Sequence, residues 1–316
     1  MSEIPKPCIW VLENSEGLRI QILSIGAAIQ RLEVPVRGSR RNVVIGLSPE
    51  DYGKSFKAAS PPYYGSIVGP HAGRLAYGSW PSWNGSLEAN EGPHHLHGAS
   101  GTLANKEWEL LAYIPNRLIQ LRTQLRPFEA GYPGGMEATV TYTIEGYTLR
   151  VKLEANCSVE MPINLTQHSY FDLASKGSVT DTHVLSMDSI GILQTKDMIP
   201  TGVVLPTNPG RILCKEGLDR SFVLGTHKNA ILEVSDLRMK ATTNQPCFHL
   251  FIGGANGSAL TDEAGVILNA QSGICLENQG YPDAPNHPNF PSTLLQPGQP
   301  YVNWINFEFT PLNAPE

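Results

Sequence analysis

Residues 139–154 read Thr139-Val-Thr-Tyr-Thr-Ile144-Glu-Gly-Tyr-Thr-Leu149-Arg-Val-Lys-Leu153-Glu154, two alternating apolar segments on either side of a short polar break. Valine, tyrosine and isoleucine alternate with threonines in the first segment, and leucines and a valine alternate with charged residues in the second. Successive side chains of a β-strand point to opposite faces, so this pattern predicts two half-buried strands. Glu145-Gly146 is a two-residue turn signal, and the stretch is therefore predicted to be an antiparallel hairpin.

The same period of two recurs elsewhere, at Leu18, Ile20 and Ile22 and in the last apolar segment, Tyr301 to Phe309. Turn residues separate such segments about every 8 to 12 residues, which is typical of a sandwich or barrel-like β architecture. Helical periodicity is scarce, and Ser48-Pro49-Glu50-Asp51 predicts a helix of only a turn or two. We therefore expect an all-β, large antiparallel β-sandwich with almost no helix, built as a single domain over residues 1–316.

Composition limits the class of function. The 316 residues carry 23 Lys and Arg against 29 Asp and Glu, a net charge of −6, which argues against a nucleic-acid partner. No apolar run approaches the roughly 18 residues that cross a bilayer, so no membrane partner is expected. The N-terminus lacks a secretory or transit pattern, which predicts a cytoplasmic protein. Five widely spaced cysteines predict reduced, buried thiols, with neither a disulfide framework nor a zinc site.

Phosphate-loop, nucleophile-elbow and zinc-helix motifs are absent from the sequence, and what remains is a set of histidines and carboxylates in strand-like segments. His168 interrupts an apolar strand in Asn164-Leu-Thr-Gln-His168-Ser-Tyr. Glu277 follows Ser272-Gly-Ile-Cys-Leu, and period two places it on the face opposite Ile274 and Leu276. Such a pair suits proton transfer on an uncharged polar substrate. The competing interpretations are a structural histidine and a solvated carboxylate on the outer face of a sheet.

Three histidines in Pro93-His94-His95-Leu96-His97 raise the possibility of a metal site. Neighbouring residues of an extended chain point to opposite sides, so only His95 and His97 form a natural pair, and no nearby cysteine or carboxylate cluster completes a coordination shell. Contact of one histidine with the substrate is the preferred interpretation, and no metal ligand is assigned. Arg74 and Asp219 each stand beside small or apolar residues, where a surface ion pair is the alternative.

Taken in order, the motifs resemble the galactose mutarotase (aldose 1-epimerase) family from about residue 9 to about residue 310. The two most specific motifs carry His168 and Glu277. The matching stretches are Gly26-Ala-Ala-Ile-Gln-Arg-Leu32, Gly69-Pro-His-Ala-Gly-Arg74-Leu-Ala-Tyr-Gly78, Asn90-Glu-Gly-Pro-His-His-Leu-His97-Gly98, Gly131-Tyr-Pro-Gly134, the His168 segment, Ile199-Pro-Thr-Gly202, Leu218-Asp219-Arg-Ser-Phe222 and Ser272 to Asp283.

The resemblance implies a β-sandwich of the mutarotase-like supersandwich type with a sugar cleft on one face. It also implies cofactor-free interconversion of the α and β anomers of a hexose or related aldose. In that interpretation His168 is the general acid and Glu277 the general base, and Arg74, His97 and Asp219 hold sugar hydroxyls, with a further binding contact from His168.

The sequence departs from the family pattern at Pro70-His71, at Gly73 and at His249. Gly73 stands where the family often has Asn, and His249 stands where it often has Gln, so His249 is a further predicted substrate-binding residue and galactose itself is in question. Two alternatives stay open: a hexose-6-phosphate 1-epimerase, which needs a basic phosphate site, and a non-catalytic sugar-binding β-sandwich. The expected partner is a monosaccharide, and the chain is expected to be a monomer or a homodimer.

Overall fold

The computed structural model describes residues 7–55, 61–253, 261–262, 265, 268–269 and 271–312. Nearly all regular structure in these residues is extended. In chain order the strands are β1 (Ile9–Glu13), β2 (Arg19–Leu23), β3 (Ile29–Val36), β4 (Ser39–Asn42), β5 (Ile67–Val68), β6 (Arg74–Leu75), β7 (His95–Leu96), β8 (Glu109–Ile114), β9 (Leu118–Leu125), β10 (Met136–Glu145), β11 (Thr148–Cys157), β12 (Met161–Pro162), β13 (Thr166–Gln167), β14 (Tyr170–Phe171), β15 (Val184–Met187), β16 (Ser189–Lys196), β17 (Ile199–Pro206), β18 (Gly210–Ile212), β19 (Asp219–Leu224), β20 (Asn229–Val234), β21 (Leu237–Thr243), β22 (Cys247–Gly253), β23 (Gly273–Gln279), β24 (Leu294–Leu295) and β25 (Tyr301–Pro311).

Helical structure in the described residues is confined to short segments, as predicted. The α-helix α1 spans Pro49–Ser55, and 3₁₀ turns occupy Ala76–Gly78, Ala99–Gly101, Leu103–Asn105, Glu129–Gly131 and Ala284–Asn286. At the start of α1 the Ser48 hydroxyl donates to the Asp51 carboxylate at 2.7 Å. None of the helices in the described part of the chain is long and apolar enough to cross a membrane.

The hairpin of β10 and β11 forms as predicted, with its turn one residue later than expected. Glu145 pairs with Thr148, so the two loop residues are Gly146 and Tyr147. The first loop position has φ +55°, a conformation that glycine adopts without the steric cost of a Cβ. Gly146 therefore occupies the first position of the loop. The apolar side chains of both strands are buried on one face.

Two antiparallel sheets form the body of the sandwich, and the predicted all-β class is confirmed. The nine-stranded sheet has the order β18-β15-β20-β21-β25-β11-β10-β9-β8, and the six-stranded sheet has the order β14-β23-β22-β19-β16-β17. A hydrophobic cluster includes side chains from both sheets, and the rings of Phe171 and Phe307, one from each sheet, lie 4.9 Å apart. Strands β1 to β4 form a smaller antiparallel sheet that contributes to the same core.

The six-stranded sheet separates the core from the candidate site. Leu250 on β22 and Leu276 on β23 are cross-strand partners in the hydrophobic core. One residue earlier on β22 and one later on β23, His249 pairs with Glu277 on the opposite face. The predicted side of Glu277 is therefore correct, and period two gives this sheet one apolar and one polar face.

The five cysteines are free thiols, as predicted. Four of them are buried, but Cys8 is exposed, so the prediction of burial was wrong at that position. Cys8 precedes the first strand of the smaller sheet, outside the cluster of core residues.

Candidate active site

A cleft opens on the polar face of the six-stranded sheet. Five of the six residues predicted from sequence line it, namely Arg74, His97, Asp219, His249 and Glu277. The sixth, His168, lies beside Glu277 at the floor. The structure thus brings together side chains from segments that are far apart in the chain.

His168 and Glu277 are in contact. The imidazole Nε2 of His168 lies 3.4 Å from Oε1 of Glu277, and the residues are 4% and 1% exposed. The second oxygen of Glu277, Oε2, is buried and has no hydrogen-bond partner among the described residues. The interpretation of Glu277 as a solvated surface carboxylate is therefore wrong.

The polar interruption around His168 has a structural explanation. Gln167 donates from Nε2 to the Gly65 carbonyl at 3.0 Å and to the Ser169 hydroxyl at 2.7 Å, and its Oε1 accepts from the Ser169 N–H at 3.0 Å. The His168 N–H donates to the Ser66 carbonyl at 3.0 Å. These bonds satisfy the buried backbone between β13 and β14 and hold the His168 ring at the floor.

The ring of His168 is enclosed by aromatic and sulfur groups. It stacks on Tyr170 at a centroid distance of 5.1 Å, and Tyr63 and His97 lie 5.8 Å away. The Cys275 sulfur is 3.6 Å from Nδ1. Burial raises the pKa of the Cys275 thiol well above its usual value, so the sulfur stays protonated and can donate to Nδ1. In the neutral ring Nε2 is then the nitrogen that carries a hydrogen toward Glu277, and in the imidazolium form both nitrogens carry one, with the sulfur accepting from Nδ1.

Burial lowers the pKa of His168, and the nearby Glu277 carboxylate opposes that shift. The opposite charge at short distance favours the imidazolium form, whereas removal from water favours the neutral form. His97 has a pKa held well below the usual value, first by burial and then by the neighbouring His168 and Arg74. His97 is therefore neutral, and its Nδ1 accepts the Gly73 N–H at 3.2 Å, which leaves an Nε2–H donor.

His249 forms a charged pair in the same cleft. Its Nε2 is 2.9 Å from Oδ1 of Asp219, and its Nδ1 is 2.8 Å from the Ser221 hydroxyl. Burial alone would lower the pKa of His249, but the Asp219 and Glu277 carboxylates raise it overall. Burial likewise opposes ionisation of Asp219, yet the charges of His249, Arg74 and Arg220 lower the pKa of that carboxyl.

Arg74 reaches the cleft from the segment before the first 3₁₀ turn. Its Nη2 donates to Glu91 Oε1 at 2.7 Å. Asp283 fixes the backbone of residues 74–76 with two hydrogen bonds. Its N–H donates to the Arg74 carbonyl at 2.9 Å, and its Oδ1 accepts the Ala76 N–H at 2.8 Å. The local backbone of Arg74 is thereby tied to the end of the Glu277 motif.

The three clustered histidines diverge. His94 accepts the Tyr77 N–H at Nδ1, and His95 is buried with its nitrogens on the Glu88 carbonyl and the Tyr132 hydroxyl. Of these three histidines, only His97 lines the cleft.

A different trio offers possible metal ligands: one donor atom each from His97, His168 and Glu277, all within 4.8 Å of one another.

Sequence reasoning missed several residues at the cleft. Glu91, Ser221 and Gln279 all stand within quoted motifs but were not singled out, and no signal marked Tyr63. Ser221 is two residues from Asp219, and Gln279 two from Glu277, so the strand period could have found both.

The nine-stranded and six-stranded antiparallel sheets pack face to face, and a polar cleft lies on the outer face of the six-stranded sheet. This arrangement defines a β-sandwich of the galactose mutarotase-like class. Solved structures share this fold: a GalM/aldose epimerase homologue from C. elegans has a TM-score of 0.88 at 24% identity, covering 97% of this chain and 100% of that one. A galactose 1-epimerase from Lactobacillus acidophilus has a TM-score of 0.83 at 22% identity, covering 99% and 97%.

A family model described as aldose 1-epimerase matches residues 9–308. Among curated proteins, galactose mutarotase from Sus scrofa is 32% identical over 94% of this chain and 92% of its own length. Aldose 1-epimerase from Haemophilus influenzae is 28% identical, over 94% of each. The chain belongs to the aldose 1-epimerase family.

Proposed function

We propose that this protein is an aldose 1-epimerase, an isomerase that interconverts the α and β anomers of a hexose or related aldose. The observation that carries the proposal is the His168–Glu277 pair, 3.4 Å apart at the floor of a polar cleft, with Glu277 Oε2 unpartnered among the described residues. The names of the relatives, galactose mutarotase and aldose 1-epimerase, support it.

Ring opening of a cyclic hemiacetal needs one proton to leave the C1 hydroxyl while another reaches the ring oxygen. Glu277 accepts the first proton, and the imidazolium of His168 supplies the second as the bond between C1 and the ring oxygen breaks. The open aldehyde rotates about C1–C2, and the two proton transfers then run in reverse to close the other anomer. Protons balance over the cycle, and no covalent intermediate forms.

The remaining predicted residues bind the sugar hydroxyls in this proposal. Neutral His97 donates from Nε2, and the charged groups of Arg74, Asp219 and His249 provide donors and acceptors around the ring. Loss of such a contact weakens sugar binding more than it slows the chemical step.

The two alternatives have weaker support. Of the cations that line the cleft, Arg74 pairs with Glu91, His249 pairs with Asp219, and Arg220 donates to the Thr195 hydroxyl at 3.1 Å. A phosphate is best held by several convergent donors, so an uncharged sugar suits the cleft better than a sugar phosphate. A non-catalytic sugar-binding protein has no need for the paired acid and base.

We also propose a domain organisation, a partner and a location. A hydrophobic cluster that runs from Leu12 to Phe309 supports a single domain. A monosaccharide is the proposed partner, with the chain as a monomer or homodimer. A cytoplasmic location is proposed from the sequence pattern alone.

Polarimetry of freshly dissolved α-D-galactose, α-D-glucose and α-L-arabinose tests the activity. We expect faster relaxation to the anomeric equilibrium in the presence of the protein for at least one sugar. Relaxation at the uncatalysed rate for all three, and acceleration only for a sugar 6-phosphate, would be evidence for the phosphate-specific alternative.

A further inference from the structure

Gln279 is the last residue of β23 and lies on the same face as Glu277. Its side chain lines the cleft and is 0% exposed. Neither its amide nitrogen nor its amide oxygen has a hydrogen-bond partner among the described residues. A buried amide that presents both a donor and an acceptor without partners is unusual in a folded protein.

Gln167 shows what a buried structural glutamine looks like in the same protein. It is 2% exposed, and both ends of its amide are bonded, to Gly65 and Ser169. Gln279 has the same chemistry and similar burial, with no such partners in the part of the chain that the structure describes. Its amide therefore contributes no hydrogen bond to the described fold, which leaves it available for a ligand.

Gly73 lies against this amide at the cleft wall. A Cβ placed on Gly73 would be 3.5 Å from Gln279 Nε2 and 2.9 Å from the Pro282 Cβ. Gly73 has φ +78°, and its N–H is already bonded to His97. Because residue 73 has no side chain, no side-chain atom from this position contacts the Gln279 amide or pairs with it.

We propose that Gln279 is a specificity-determining residue that binds sugar hydroxyls on the side of the ring away from C1. Side chains two residues apart on a strand are separated by about 7 Å, which matches the span of a pyranose with its hydroxyls. With Glu277 at C1, as the proposed function has it, Gln279 reaches the opposite end of the ring. A carboxamide offers two N–H donors and a carbonyl acceptor, which complement a pair of adjacent hydroxyls.

The test substitutes Gln279→Met, which keeps the size and removes the polar groups. The dissociation constant is measured by calorimetry with the accepted aldose and its 3-deoxy and 4-deoxy analogues, and turnover by polarimetry. We expect about 5- to 10-fold weaker binding of the aldose, with kcat within about threefold of the wild type. For the analogue that lacks the contacted hydroxyl, variant and wild type should bind equally.

Thermal unfolding of the sugar-free protein separates this role from a structural one. Gln279→Met should keep or raise the melting temperature, because it removes unpaired buried polar atoms, whereas Gln167→Met should lower it. Gln120→Met on β9 is the control for the substitution itself. Binding within twofold of wild type for every sugar, or a fall in melting temperature like that of Gln167→Met, would overturn the proposal.

Binding and turnover also separate this inference from the function on which it rests. In the Glu277→Gln background, which lacks the proposed base, the effect of Gln279→Met on the dissociation constant should persist. Sugar binding that depends on Gln279 without any wild-type acceleration of mutarotation would contradict the proposed epimerase while leaving the role of Gln279 intact.

Discussion

His249 and Glu277 are direct cross-strand partners on β22 and β23, and this pairing places an imidazole with a raised pKa next to the proposed base on the cleft side. The Asp219 carboxylate, 2.9 Å from His249 Nε2, holds the proton on the ring. The positive charge of His249 also lowers the pKa of His168. The His249 side chain therefore links the ionisation of Glu277, Asp219 and His168.

The linkage predicts a shift in the pH profile on substitution of His249. Activity requires protonated His168, so kcat/KM falls as pH rises through the His168 pKa. Burial lowers that pKa, so the alkaline limb should lie below the value of about 6.5 of a free histidine. His249→Gln removes a positive charge and exposes His168 to the unneutralised Asp219, and both changes raise the pKa of His168. The alkaline limb of kcat/KM should therefore move to higher pH.

The exposed His227 provides the control, because His227→Gln should leave the limb in place. A limb that moves to lower pH in His249→Gln, or a profile that is the same in both variants, contradicts the assignment of His168 as the titrating acid.

Glu277→Gln keeps the shape of the side chain and removes the base. We expect mutarotation to slow by at least about 10², with little change in melting temperature. Polarimetry and thermal unfolding measure the two quantities. Glu154→Gln on the nine-stranded sheet is the matched control. Activity of Glu277→Gln within threefold of wild type would contradict the assignment of Glu277 as the base.

His168→Asn removes the proposed acid while an amide remains at the floor of the cleft. Turnover should fall by about 10² or more, and KM should rise because the imidazole is proposed to contact the sugar as well. Steady-state kinetics with His227→Asn as the control measures both. An unchanged KM would contradict only the proposed contact of His168 with the sugar. An unchanged kcat would contradict its role as the acid.

Metal independence is expected despite the proximity of His97, His168 and Glu277. Dialysis against EDTA should leave the rate and the melting temperature unchanged, and His97→Ala should fold normally with a raised KM. A metal site predicts the opposite, with about one zinc per chain in elemental analysis and destabilisation on chelation. Stoichiometric metal that is lost together with activity would overturn the cofactor-free mechanism.

Phe307 tests the packing of the two sheets. It is fully buried and contacts Phe171 across the core, so Phe307→Ala should lower the free energy of unfolding by about 3–5 kcal/mol. Urea denaturation gives this value, and the kcat of the folded fraction should be retained. Phe128 is 78% exposed, and Phe128→Ala should change stability by less than about 0.5 kcal/mol. Equal losses in the two variants would show that the ring contact does not join the sheets.

Local sequence patterns predicted the strands well. The apolar positions of β10 and β11 and the face of Glu277 follow from period two, because alternation is a property of each strand by itself. The short helix α1 followed from its cap and proline. The exact turn of the hairpin was missed by one residue, since the glycine takes the first loop position rather than the second.

The strand pattern alone did not show which side chains the candidate residues contact. The family resemblance suggested which residues share a cleft, and the structure supplied the contacts: His168 beside Glu277, His249 with Asp219 and Ser221, and His97 apart from His94 and His95. Period two says which face a side chain occupies but not which strand lies next to it. The order β14-β23-β22-β19 brings together strands that are distant in the chain.

The sequence by itself therefore determined an all-β chain with alternating faces and the residue types needed for acid and base chemistry. Only the tertiary structure decided that Glu277 is buried against His168, and that the Gln279 amide in the cleft has no partner among the described residues. The physical reason is that burial and pKa depend on groups contributed by several strands. Those groups come within a few ångströms only when the long-range sheet order is formed.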